Sequence, residues 1–169
     1  MTLVCNAGPV IALAKIDCLP LLRKIAQSVL IPETVFHEVL AKPGKESMRI
    51  MDAARNFLIV QPPPASVHPA VKHATRYLDA GESEVIALAS SIPAPVSVVI
   101  DDAAGRRVAA RLSITLLGFV GVLIISKRLQ HIDLVLPLME QARDLGYWLS
   151  DEVFETARVL ANEEKLNTL

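Results

Sequence analysis

Short apolar runs and longer amphipathic segments alternate along this chain, and the period of each run predicts its element. "TLVCN" (2–6), "SVLIP" (28–32), "FLIVQ" (57–61), "VSVVI" (96–100) and "ITLL" (114–117) read as strands. They are short and mostly β-branched or aliphatic, as strands are. "VSVVI" is continuous rather than alternating, which predicts a strand covered on both faces. Between these runs the apolar positions take helical spacing. "PVIALAKI" (9–16) opens a helix with Pro9 in its first turn. "LPLLRKIAQ" (19–27) is a short second helix, and "ETVFHEVLA" (33–41) a third with its apolar positions at Val35, Val39 and Leu40. Further helical patterns cover 48–56, 69–78, 82–91, 103–112, 119–129, 132–144 and 150–163.

The punctuation supports this division. "KPGKES" (42–47) is a turn and "DAG" (79–81) a break between helices. "PPPASVHP" (62–69) is a rigid exposed connection rather than a domain linker, since too little chain lies on either side. Alternation of strand and helix predicts an α/β fold in which a mainly parallel sheet of about four to five strands is flanked by helices. We expect a single domain over 1–169, with C-terminal helices (about 132–163) packing on it or forming an oligomer face. No internal repeat and no low-complexity tract is present.

Composition narrows the partners. Apolar residues make up 52% of the chain and aromatics only 4%, so the core is aliphatic. The net charge of −1 supplies no general basic field, and a nucleic-acid partner would need a local patch. With so few aromatics, recognition of single strands by base stacking is not expected. Cys5 and Cys18 form neither a zinc spacing nor a disulfide framework, which predicts a reducing, cytoplasmic setting. Asn6, Lys15 and Asp17 interrupt the first apolar stretch, and "LSITLLGFVGVLII" reads as a strand running into a helix. Neither a signal peptide nor a membrane span is expected.

Several motif matches fail. "HEVLA" (37–41) lacks the second histidine of a zinc-protease helix, "GESEV" (81–85) lacks the closing glycine of a nucleophile elbow, and "PGKES" lacks the first glycine of a phosphate loop. The carboxylates carry more. Ligands of an open parallel sheet collect beyond the carboxyl ends of its strands. Asn6 lies at that end of the first strand, and Asp101 and Asp102 at that end of the strand 96–100. Glu38 and Glu82 belong to helices that can face the same crevice. Oxygen donors converging from separate elements suit Mg²⁺ or Mn²⁺. Each also has a structural role open to it. Asp79 and Glu82 have the spacing of a capping box. Glu38 can be a solvated helix residue, and Asn6 can bond the turn. One of Asp101 and Asp102 can cap the next helix, but a cap uses only one of them.

At this point the chain resembles a PIN domain, the metal-dependent nuclease fold of VapBC-type toxins, and more closely a PIN-like family of uncharacterised prokaryotic proteins. The matching stretches are "NAGPVIALAKI" (6–16), "VLIPETVFHEVL" (29–40), "LDAGESEVIALA" (78–89), "VIDDAAGRRVA" (99–109) and "LLGFVGVLIISKR" (116–128), in the family's order. The resemblance implies a three-layer α/β/α fold with an acidic cluster at one end of the sheet. It assigns metal binding to Asn6, Glu38, Glu82, Asp101 and Asp102, and catalysis to Glu38, Glu82 and Asp101. Glu84 is an alternative to Glu82. The chain departs from the nuclease pattern at Asn6, where nucleases of this type carry aspartate, and a neutral ligand weakens Mg²⁺ binding. Gly8, where relatives tend to have Ser or Thr, removes a hydroxyl from the same turn.

The implied activity is hydrolysis of RNA phosphodiesters with Mg²⁺ or Mn²⁺, in a toxin-like role that would require a small antitoxin partner. Asp101 is expected to face the metal and Asp102 to start the helix. Arg106, Arg107 and Arg111 on that helix, with Lys127 on another, are candidates for holding phosphates. Two other readings stand beside it: a non-catalytic PIN-like module that binds nucleic acid or protein, and a phosphohydrolase for a small substrate. Tyr147 and Trp148 are either core residues or anchors of a homodimer face.

Overall fold

The computed structural model describes residues 1–163, so the expected domain range extends six residues beyond it, over 164–169. Five strands form one sheet: β1 (Thr2–Cys5), β2 (Ser28–Pro32), β3 (Leu58–Gln61), β4 (Val96–Val99) and β5 (Thr115–Leu117). All pairings are parallel, in the order β3-β2-β1-β4-β5. The central strand β1 sets Leu3 beside Val29 on one side and Ser97 on the other. Leu3, Val4 and Cys5 are fully buried, as the continuous apolar pattern requires.

Among the described residues ten helices connect and cover the strands: α1 (Ala7–Lys15), α2 (Pro20–Ile25), α3 (Glu33–Leu40), α4 (Lys45–Asn56), α5 (Pro69–Thr75), α6 (Ala80–Ser91), α7 (Ala103–Arg111), α8 (Phe119–Arg128), α9 (Leu136–Asp144) and α10 (Asp151–Ala161). The architecture is three-layer α/β/α. On one face α6 packs against β1, β2 and β4 and touches α5 and α7. Its buried Val85, Ile86 and Leu88 provide the contact. On the other, α8 packs against α1 and α2 through a stripe that includes Phe119, Val122 and Leu123. The chain builds outward from β1 through β2 to β3, then returns to place β4 on β1's other side. The order therefore reverses between β1 and β4, and a crevice opens there at the strands' carboxyl ends. Among the described residues no helix is long and apolar enough to cross a membrane.

Several element starts differ from the sequence pattern, for local reasons. The segment expected as a turn up to residue 47 is already helical from Lys45, because the Ser47 hydroxyl bonds both the N–H and the carbonyl of Gly44. α6 begins at Ala80 rather than 82, since Asp79 caps it by accepting from Glu82 N at 2.7 Å. α9 begins at Leu136, four residues later than the pattern suggested, with Pro137 in its first turn.

That late start has a distant cause. The Glu163 carboxylate accepts from Val135 N (2.7 Å), Leu136 N (3.0 Å) and Lys127 Nζ (2.7 Å). It thus closes the N-terminus of α9 with a negative charge from beyond the end of α10. Burial pushes the Glu163 pKa up, but these donors outweigh it and hold the group below the usual carboxylate range. A depressed folded pKa stabilises the fold above the unfolded value, and this contribution is lost as pH falls through the folded one. Glu163→Ala is therefore expected to cost about 2 kcal/mol at neutral pH. In urea melts the difference from the parent should shrink progressively in acid.

Candidate functional site

Asn6 directly follows β1, and its N–H donates to Val99 O at 2.9 Å, which holds it against the end of β4. It occupies the N-cap position of α1, yet its side chain makes no capping bond. The amide oxygen turns instead toward the first turn of α6. A methyl placed on Gly81 would stand 3.5 Å from Asn6 Oδ1, 3.3 Å from Glu38 Oε2 and 3.2 Å from a Val35 methyl. Asn6 and Glu38 thus converge over one spot, and the close packing of α3 on α6 keeps them there. Desolvation raises the Glu38 pKa, and the charge of Asp79 raises it further.

Glu82 is buried at 7% exposure. Its backbone N–H takes the Asp79 cap, but its side chain does not close the capping box. It shares a hydrogen bond with Asp102 instead. Burial first, then that bond and the charges of Asp79 and Asp102, push its pKa up to about 7. Asp102 moves the opposite way. It caps α7 by accepting from Ala104 N (2.7 Å) and Gly105 N (2.9 Å), and the Gly105 bond is the largest influence holding its pKa down. The two carboxyls therefore push each other's pKa in opposite directions. Gly105 lets α7 lie close against β4's end, because a Cβ there would overlap the Ile100 side chain, while it would meet the Glu82 carboxyl carbon only in ordinary contact at 3.7 Å.

The two adjacent aspartates take different partners. Asp102 starts the helix as expected, but it is also the one in contact with Glu82. Asp101, expected to face the metal, turns toward α8. Its carboxylate accepts from Phe119 N (3.1 Å) and, in a short bond, from the Tyr147 hydroxyl. The N–H groups of α8's first turn, which have no partner within the helix, and a phenol draw the carboxylate to that side. Desolvation against these neighbours raises the Asp101 pKa, opposed by Tyr147, Phe119 N and the Arg106 charge.

Tyr147 was assigned in the sequence only to a core or an interface, and it is a site residue that sequence reasoning missed. Its ring packs edge-on against Phe119, with centroids 5.2 Å apart. A methyl on Gly8 would stand 4.0 Å from its hydroxyl, so Tyr147 reaches the α1 turn where Gly8 lacks a hydroxyl of its own. No local signal links residue 147 to residue 101.

The basic candidates separate. Arg106 donates to Ile100 O at 2.9 Å and lies beside Asp101, and the charge of Arg107 acts on Asp102. Arg111 is exposed, one turn beyond Arg107 on the same face. Lys127 does not join them. It is tied to Glu163, roughly 12 Å along α8 from the end that binds Asp101. Glu84, the alternative to Glu82, points elsewhere. It accepts from Thr34 Oγ1 at 2.8 Å and lines a separate cavity of about 320 Å³ under the Pro63–Pro64 loop.

Among the described residues, no three His, Cys, Asp or Glu side chains are grouped closely enough to hold a metal ion by themselves. The donors present nevertheless fit a hard divalent cation. Asn6, Glu38, Glu82 and Asp102 offer only oxygens, and Mg²⁺ binds through one or two carboxylates while keeping several waters. Among the described residues neither Glu38 nor Glu82 is paired with a lysine or arginine, so the cluster carries uncompensated acid.

A family model described as a PIN domain matches residues 2–163. No curated protein and no solved structure matches the chain.

Proposed function

The chain belongs to the PIN-domain family, and on that premise we propose that it is a metal-dependent ribonuclease working in the crevice between the ends of β1 and β4. The observation that carries this reading is the crowding of Asn6, Glu38, Glu82 and Asp102 around the first turns of α6 and α7. There both glutamates are held at raised pKa without a cationic partner. Acids kept together against their own repulsion are a functional arrangement rather than a stabilising one.

In this reading Asn6, Glu38, Glu82 and Asp102 would hold Mg²⁺ or Mn²⁺, and Asp101, anchored by α8 and Tyr147, is the catalytic acid beside them. The cation supplies Lewis acidity to a phosphodiester and lowers the pKa of water. Asn6 brings an oxygen without charge, so the site binds the cation more weakly than one with aspartate at that position. Arg106, Arg107 and Arg111 run along α7 from the crevice and position the phosphates of the strand. RNA as substrate, a toxin-like role with a small antitoxin partner, and a homodimer belong to the same proposal. Asn6 also favours a second reading, in which the fold binds nucleic acid or protein without cleaving.

The deciding experiment is cleavage of end-labelled single-stranded RNA with Mn²⁺, with Mg²⁺ and with chelator, with Asp101→Asn run alongside against contaminating nuclease. Cleavage that needs metal and disappears in the variant supports the enzyme. If neither protein cleaves and calorimetry detects no Mn²⁺ binding, the catalytic reading fails and the binding module remains.

A further inference from the structure

The crevice continues beyond Asp101 into a groove of about 470 Å³ that no acid of the cluster explains. One end of this groove is formed by Asp101 and Arg106. Its walls are apolar, among them Leu116, Val120 and Leu160, and Trp148 borders it. Trp148 is the chain's single tryptophan and is 82% exposed. An indole mostly in water beside an apolar groove leaves a large aromatic face without a partner. It is also not loosely placed. The preceding Tyr147 is bonded to Asp101 and packed edge-on against Phe119, and the following Leu149 and Ser150 lead into the capped start of α10.

We propose that Trp148 and the adjoining groove form a nucleobase subsite, in which a base of single-stranded RNA stacks on the indole while Arg106 takes the neighbouring phosphate next to Asp101. This deepens the nuclease reading and rests on it. The distribution of polarity supports a nucleotide: charge is confined to the end that meets the acids, and the rest is apolar surface suited to a base's face. Stacking of this kind tolerates any base, so the subsite strengthens binding and sets register without reading sequence. The low aromatic content argued against stacking only as long as the position of the one indole was unknown. A single well-placed ring is enough for one base.

The lone tryptophan is its own reporter. In chelator, so that nothing is cleaved, the protein is titrated with a short end-labelled single-stranded RNA. Label anisotropy reads total binding and tryptophan emission reads the subsite. The same titration uses an abasic strand of equal length. Expected is quenching that saturates together with the anisotropy, and roughly tenfold weaker binding of the abasic strand without quenching. Trp148→Ala should bind the two strands equally. Its exposure means that the fold does not depend on it, which a melting curve checks. Binding by anisotropy with unmoved emission, or a Trp148→Ala protein that still prefers the base-bearing strand, overturns the subsite and leaves the nuclease reading standing. Emission already shielded from acrylamide in a particle of twice the chain mass also overturns it, because a second copy then fills the groove. Absence of any RNA binding in chelator overturns the subsite, while the cleavage assay with Mn²⁺ still decides the nuclease reading.

Discussion

Glu82→Gln is expected to abolish metal-dependent cleavage and, in chelator, to make the protein more stable. The two effects have one cause. Glu82 is buried beside Asp79 and Asp102, and its carboxyl is pushed up to about 7 by desolvation and by those neighbours. An unfolded glutamate titrates near ~4.3. At low pH both states hold the proton, and the substitution changes little. As pH rises from there toward about 7, the unfolded state releases its proton first, so the parent protein loses stability. Above that the loss is complete. Glutamine keeps the shape without the charge, so the variant should gain roughly 1–3 kcal/mol at alkaline pH. That corresponds to a few degrees in Tm for each kcal/mol. Cleavage should fall by about 100-fold or more, since a ligand carboxylate is gone. Melting curves of both proteins across pH, together with the cleavage assay, test it. A stability difference that does not widen with pH would mean that Glu82 is not crowded as described.

The second large effect is expected at Gly118, which no motif reading marks as functional. Gly118 is the N-cap of α8 with extended backbone (φ −119°), so alanine there carries no backbone strain. The obstacle is steric. A Cβ would overlap Asp101 Oδ1 and stand 3.2 Å from Arg106 Nη1. The carboxylate must leave Phe119 N and move against Tyr147, and small displacements at a reacting centre cost on the order of 100-fold in rate. Gly118→Ala is therefore expected to lose most of its cleavage while melting within a few degrees of the parent. Gly121→Ala, one turn along, is the control. Its Cβ would press on the Leu117 side chain, 2.7 Å away, so it should reduce stability and spare activity relative to Gly118→Ala. Equal cleavage by Gly118→Ala and the parent would show that the anchored position of Asp101 is irrelevant to the chemistry.

The β-α alternation was legible because strand and helix periods are written into neighbouring residues, and all five apolar runs became strands of a parallel sheet. The Asp79 cap and the start of α7 at Asp102 were legible for the same reason, since a cap acts over two or three residues. The resemblance carried the family, and topology made the ends of β1 and β4 the place to look. Less legible was which acid meets which. Asp101 and Asp102 are adjacent, both carboxylates, and a sequence offers no direction for either. Lys127 looked like a phosphate ligand because its partner, Glu163, lies 36 residues away. Glu82 and Glu84 stand two apart on one helix, and only the packing of α3 shows that Thr34 takes the second.

By itself, then, the sequence determined the elements, their order, the parallel sheet and the acidic residues available at its carboxyl ends. Those depend on interactions within a few positions along the chain. The tertiary structure alone decided that Asp102 pairs with Glu82, that Tyr147 and the first turn of α8 hold Asp101, and that Trp148 stands open beside the same crevice. Carboxyl pKa values and hydrogen-bond partners depend on how closely separate helices approach. That distance is set by the side chains, or their absence at Gly105 and Gly118, between residues far apart in the chain.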